Sequence, residues 1–176
     1  IEGKPPYRPM GNWAPDFSQE KTVLGEAQWK WLEEELKKPA RLRLIGTSIQ
    51  FAAPHNGFEA WNNFPMEQQR LVDLIKQHKA EGVVLLSGDI HGAEINMLEP
   101  DGCYPLIDFT SSSLNLPLGA ARTRRRIGPG YGGTNFGMVD IDWALADPVV
   151  SLSIKDMQNQ TRIHHAVPLS ELTFQK

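Results

Sequence analysis

The 176-residue sequence predicts an α/β fold, two packed layers of sheet with helices on an outer face. Three observations carry that expectation. Two amphipathic helical patterns alternate with short apolar runs in the first half. One of those runs, Val83 to Leu86, breaks abruptly into Ser-Gly-Asp-Ile-His. From about residue 95 the alternation stops, and short strand-like runs separated by turn residues fill the remainder.

The N-terminal stretch "IEGKPPYRPMGNWAPDF" is rich in proline and glycine and reads as loop, leading into the middle of something rather than opening a domain. "GEAQWKWLEEELKK" reads as a helix. Leu24, Gln28, Trp31 and Glu35 fall along one line with Leu32 and Leu36 beside it, and Pro39 ends it. Its acidic run ahead of Lys37 and Lys38 suits the helix dipole. "LRLIGTSIQF" follows as a strand after a short connection, as in alternating α/β chains. The loop "AAPHNGFEAWNNFP" then leads to "MEQQRLVDLIKQHK", where Leu71, Leu74, Ile75 and His78 recur at i, i+3, i+4 and i+7. Tryptophans 29, 31 and 61 are expected to anchor helices on a sheet rather than to meet a ligand.

The next run, "VVLLSGDIHGAE", is a buried strand that should stop at a turn. If Asp89 to His91 continues briefly in extended form, the two-residue period sends both side chains to one face. Oxygen and nitrogen donors would then project together from a strand end, where open α/β sheets place ligands. "AEINMLEPDGCYPLIDFTSSS" reads as two strands around a Pro-Asp-Gly turn. "LNLPLGAARTRRRIGPGYGGTN" is a long glycine- and arginine-rich loop. "FGMVDIDWA", "VVSLSIKD" and "TRIHHAVPL" are three further strands.

Composition narrows the function classes. With 40% hydrophobic residues, 22% charged residues and a net charge of −3, nothing points to nucleic acid or an anionic membrane as partner. Cys103 stands alone, which excludes an internal disulfide framework. No run approaches the roughly 18 to 20 apolar residues of a membrane helix.

Several candidate residues remain. His91 is either a metal ligand or a partly buried turn histidine hydrogen-bonded to backbone, and Asp89 either ligates or caps the turn. His55, Asn56 and Glu59 follow a strand end but read as a solvated loop. Arginine forks in Arg122 to Arg126 suit phosphate, yet "GPGYGG" lacks the lysine of a phosphate-binding loop, and basic runs are usually solvated. Tyr131 and Asn135 are better placed to line a mouth. His164 and His165 are adjacent in a strand, point to opposite faces and cannot readily share an ion. Ser111 to Ser113 lacks a nucleophile elbow and reads as the polar end of a strand.

"LGEAQWKWLEEEL", "WNNFP" ahead of a leucine-rich helix, "LLSGDIHGAE", "DFTSSSLN" and "TNFGMVDID" occur in this order between residues 22 and 155. Together they resemble the C-terminal half of the PhoD-like alkaline phosphatase D family, calcineurin-like metallophosphoesterases. The resemblance implies part of a four-layer α/β/β/α sandwich, residues 1–176 being the C-terminal portion of the domain. It implies metal-dependent hydrolysis of phosphate mono- or diesters, with two or more ions that polarise the phosphoryl group and activate water (zinc, manganese, iron or calcium). Gly88-Asp89-Ile90-His91 is similar to the family's closing metal motif, so His91 is expected to ligate and Asp89 to ligate or orient. Gln50 lies about where relatives put a polar active-site residue. The other ligands of the family come from an N-terminal half that this chain does not contain, so activity is expected to need that half. A periplasmic or secreted location is expected on the same ground. The competing expectation is a binding or structural module that keeps the sandwich without the chemistry.

Overall fold

The computed structural model describes residues 11–18, 20–54, 57–119 and 123–175. Helix α1 spans Gly25–Lys37 and strand β1 Arg43–Gly46. After a short 3-10 turn at Trp61–Asn63, α2 spans Pro65–Gln77 with proline in its first turn, where no intrahelical N–H is needed. Strands β2 Val83–Ser87, β3 Ala93–Leu98 and β4 Leu106–Ser111 follow. Strands β5 Asn135–Asp142, β6 Val149–Asp156 and β7 Thr161–Pro168 close the order, with a 3-10 turn at Leu169–Leu172.

The strands form two sheets. The first has the order β1-β2-β4-β3, with β1, β2 and β4 parallel and β3 antiparallel to β4. The second is the antiparallel meander β5-β6-β7. The α/β expectation therefore holds, as does the hairpin around Pro-Asp-Gly. Its connection is longer than a two-residue turn: Leu98 pairs with Leu106, and the Cys103 amide donates to the Pro100 carbonyl. Gly102 takes φ +68°, which glycine adopts without steric cost.

One apolar core joins the layers. Leu85, Leu71 and Leu32 line the helix side of the first sheet, while Leu86, Phe109 and Val139 line the space between the sheets. At Gly137 on β5 a Cβ would stand 2.8 Å from the Phe109 ring, so only glycine lets the second sheet come this close.

Helix α1 turns a different face inward from the line expected. Trp29, Leu32 and Leu36 are buried, whereas Trp31 is 61% exposed. The reason is spacing: 29, 32 and 36 form their own i, i+3, i+7 ridge. Trp29 Nε1 donates to Glu67 Oε2 at 2.8 Å, its ring stacks edge-on against Trp61, and the Arg70 guanidinium lies 4.6 Å over it. Burial works against the Glu67 charge, but donors from Thr22, Trp29 and Val23 hold its pKa below the usual value. Trp29→Ala is expected to cost about 3–5 kcal/mol, since it empties a buried site and removes one of the three donors to Glu67. Thermal unfolding should show a fall of roughly 10 °C. A change within about 1 °C would mean that Trp29 does not tie the helices together.

The loop after β1 keeps Glu59 exposed, as a solvated segment would, but its two flanks are buried. Phe51, Ala52, Ala53, Ala60 and Trp61 are essentially inaccessible. His55, Asn56 and Arg122 lie outside the described residues.

Candidate active site at the strand ends

Because β1, β2 and β4 run parallel, their C-terminal ends reach one edge together, and β3 starts there. The chain converges tightly at this edge. The Thr47 amide donates to Leu86 O at 2.8 Å, and Ser112 N to Gly92 O at 3.1 Å. A Cβ on Gly88 would lie 3.5 Å from both Ser48 O and Ser112 Cβ, so the turn after β2 sits between the loops that follow β1 and β4.

Strand β2 ends at Ser87, so Asp89 and His91 do not continue in extended form. Both take left-handed backbone angles, φ +73° and +53°. The argument from strand alternation is overturned: a tight turn, with Ile90 N donating to Gly88 O, presents these side chains instead. Left-handed φ in residues other than glycine costs energy and concentrates at functional positions.

The Asp89 side chain belongs to an exposed residue, and His91 is half-buried. His91 Nδ1 lies 2.9 Å from the Leu116 carbonyl. A carbonyl only accepts, so Nδ1 carries the proton and Nε2 keeps its lone pair. The Leu118 amide returns a bond to His91 O, tying the ring to the segment after β4. A backbone carbonyl on one ring nitrogen and a free second nitrogen is how metal-ligating histidines are oriented. Among the described residues no three histidine, cysteine or carboxylate side chains converge on a possible ion. His91 and Asp89 are the two candidate donor residues of this turn.

Below the turn lies a buried polar layer. Registration of Ser87 with Thr110, Thr110 with Glu94 and Asp108 with Asn96 puts all five side chains on the helix-facing side of the sheet. Asp108 Oδ2 accepts the Phe51 and Ala52 amides at 2.7 and 2.8 Å, and Oδ1 accepts the Ser87 hydroxyl at 2.6 Å. Burial nonetheless pushes the Asp108 pKa up to about 6, with the charge of Glu94 adding to the rise. Gln50 Nε2 donates to Glu94 Oε1 at 2.8 Å and to Thr110 Oγ1 at 3.1 Å, and Thr123 donates to Glu94 Oε2 at 2.9 Å.

The structure places the three expected substrate contacts, Gln50, Asn135 and Tyr131, in different surroundings. Gln50 lies beyond the end of β1, is fully buried, and donates through its amide to Glu94 and Thr110. Asn135 is 1% exposed, accepting from Ser111 Oγ and donating to Gly133 O. It borders a cavity of about 320 Å³ between the sheets, alongside Ser87, Ser111 and Leu114. Tyr131 is half-buried: its backbone pairs with Ala93 along the free edge of β3, and the Arg162 guanidinium lies 5.7 Å from its ring centre. Arg126 bridges Asn96 in the same way, so the glycine- and arginine-rich loop covers a sheet edge. His164 is exposed with Nδ1 against Ser153 Oγ, while burial lowers the pKa of the half-buried His165, consistent with opposite faces. Ser112 Oγ donates to Gly92 O, and Ser113 Oγ is buried without a partner among the described residues.

The carboxylates of the buried layer were missed in sequence. Polar residues at alternate positions of "AEINML" and "LIDFTS" look like a solvated strand face. Only pairing the two strands would have set Glu94 beside Thr110 and Asn96 beside Asp108.

A sequence profile described as PhoD-like phosphatase matches residues 8–126, more than half of the chain. The chain belongs to the PhoD-like phosphatase family. Alkaline phosphatase D of Bacillus subtilis (strain 168) is 28% identical over 90 residues, 46% of this chain and 15% of that protein. A solved structure titled "Structure of PhoD" superposes with a TM-score of 0.69 at 17% identity, over 88% of this chain and 35% of that one. At that identity the superposition speaks for the fold. This PhoD-like chain spans about a third of the length of the solved structure it matches and less of the Bacillus protein.

Proposed function

We propose that this chain is the C-terminal part of the catalytic domain of a metal-dependent phosphoesterase acting on phosphate mono- or diesters. The observation that carries the reading is His91: its Nδ1 proton is committed to Leu116 O, which leaves Nε2 as a donor at the strand-end edge. His91 would hold an ion through Nε2, with the Asp89 carboxylate on the same ion or behind it. Bound metal ions in such a site polarise the phosphoryl group and supply an activated water at neutral pH. The chain's own residues orient. Leu116 O fixes the imidazole, and Asp108 holds the loop after β1 through two amides. The remaining ligands are proposed to come from a segment outside these 176 residues, and a periplasmic or secreted location belongs to the same proposal.

The test compares the 176-residue chain with the complete polypeptide, measuring metal per chain and turnover of p-nitrophenyl phosphate and its bis ester. Two donors cannot hold two ions, so the short chain is expected to turn over neither ester and the complete one at least one of them. Robust turnover by the short chain would overturn the ligand count. A complete polypeptide without metal or turnover would overturn the reading itself.

A further inference from the structure

The segment that follows β4 reads Leu-Asn-Leu-Pro-Leu over residues 114–118. Its backbone turns toward His91: Leu116 O holds the imidazole Nδ1 at 2.9 Å, and Leu118 N donates to His91 O at 2.9 Å. Its leucines do the opposite. Leu114, Leu116 and Leu118 are 65%, 52% and 72% exposed. A single exposed leucine is ordinary, but three in five residues form a patch, and patches of that kind meet an apolar partner.

Position says what they meet. An ion on His91 Nε2 would sit about 2 Å from that nitrogen. Leu116, bonded to the other nitrogen of the same ring, is then held one imidazole away from the ion, with Leu114 and Leu118 on either side of it. Leu114 also lines the cavity bordered by Ser87, Ser111 and Asn135 at the strand ends. Pro117 fixes one backbone angle, and the two bonds to His91 fix the place of the segment, so the leucines are carried on a held loop. Within residues 114–118 only Asn115 has a polar side chain. This stretch thus offers little to a phosphoryl group and mostly apolar area to whatever the phosphoryl group is attached to.

We propose that Leu114, Leu116 and Leu118 determine specificity by contacting the organic part of the ester, so that the site takes phosphate esters of apolar alcohols, alkyl or aryl, ahead of esters of sugars or polyols. The proposal rests on the phosphoesterase reading and adds which alcohols are taken. An alkyl chain laid on the leucines removes apolar surface from water on both partners, and one methylene in an apolar site changes discrimination by about 10-fold or more. A polyol in the same place would set its hydroxyls against leucine, losing hydrogen bonds to water and gaining none.

The experiment measures binding of hexylphosphonate and methylphosphonate to the complete polypeptide by calorimetry, in the wild type and in Leu114→Asn/Leu118→Asn. Both probes carry the same phosphonate group, so the ratio of their Kd values isolates the organic part. Asparagine keeps roughly the size of leucine and removes its apolarity, while Leu116, whose carbonyl holds His91, is left alone. Hexylphosphonate is expected to bind the wild type at least about tenfold more tightly than methylphosphonate. The double variant should bring that ratio below about threefold, with metal per chain and the methylphosphonate Kd as in the wild type. Leu118→Asn alone, at the most exposed of the three positions, should lower the ratio at least about twofold. A wild-type ratio under tenfold overturns the proposal. So does a ratio that survives the substitutions, which would mean that another segment covers the leucines. Turnover of p-nitrophenyl phosphate by the wild type is read separately. Turnover without the tenfold ratio sinks this proposal alone, and neither turnover nor phosphonate binding sinks the phosphoesterase reading with it.

Discussion

His91→Ala in the complete enzyme is expected to remove one metal ion per chain and to lower kcat by about 10²- to 10³-fold. The imidazole is the one nitrogen donor of the Gly-Asp-Ile-His turn, and its Nε2 has no competing partner among the described residues. On the proposed phosphoesterase reading, losing it would forfeit charge that stabilises the phosphoryl transition state, and about 3–4 kcal/mol corresponds to that fold-change. Asp89→Asn should be milder, roughly 10- to 100-fold, if the carboxylate orients the site from behind the ion. His78→Ala is the control: His78 caps α2 and meets Glu33 of α1 at 3.1 Å, so metal content and kcat should stay near normal. Metal content per chain and kcat for the three variants decide the matter. Full occupancy with near-normal kcat in His91→Ala would leave the turn as nothing more than the end of a buried strand.

Asp108→Ala should be the most destabilising substitution in the buried polar layer, by about 3–5 kcal/mol. It orphans the amides of Phe51 and Ala52, each worth about 1–3 kcal/mol when left unpaired, and deprives Ser87 of its acceptor. Asp108→Asn keeps the shape, with its oxygen on the two amides and its NH₂ toward Ser87 Oγ, and should stay within about 1 kcal/mol at neutral pH. The pair also isolates a pH effect. The folded carboxyl titrates at about 6 against an ordinary 3.8, so between those values the folded chain binds the extra proton. The stabilisation is then present below about pH 4 and lost as pH rises through 6, a span of roughly 3 kcal/mol. Urea unfolding at pH 4.5, 6 and 7.5 should show wild type losing stability relative to Asp108→Asn as pH rises. Parallel curves for the two proteins would show that Asp108 is ionised throughout.

What was legible in the sequence were the elements whose signal is local. The i, i+3, i+4, i+7 pattern of Leu71, Leu74, Ile75 and His78 became α2, and "EPDG" became the turn between β3 and β4. The order of the five motifs likewise sufficed to recognise the PhoD-like family, because family membership is carried by residue types at set spacings.

Tertiary structure alone decided which way side chains point. A run such as Gly88 to His91 can leave a strand extended or in a left-handed turn, and here it takes the turn, tied to Leu116 and Leu118 of a distant segment. Helix α1 carries two apolar ridges, and nothing local says that Trp29 goes inward and Trp31 to the edge of β1; contact with Glu67 and Trp61 from a distant segment does. Glu94, Asn96, Asp108 and Thr110 alternate like a wet strand face, yet the loop carrying Gln50 to Ala52 covers them and takes their hydrogen bonds. Local sequence sets backbone propensity and periodicity, whereas burial depends on which remote segment arrives to exclude water, a property of the assembled chain.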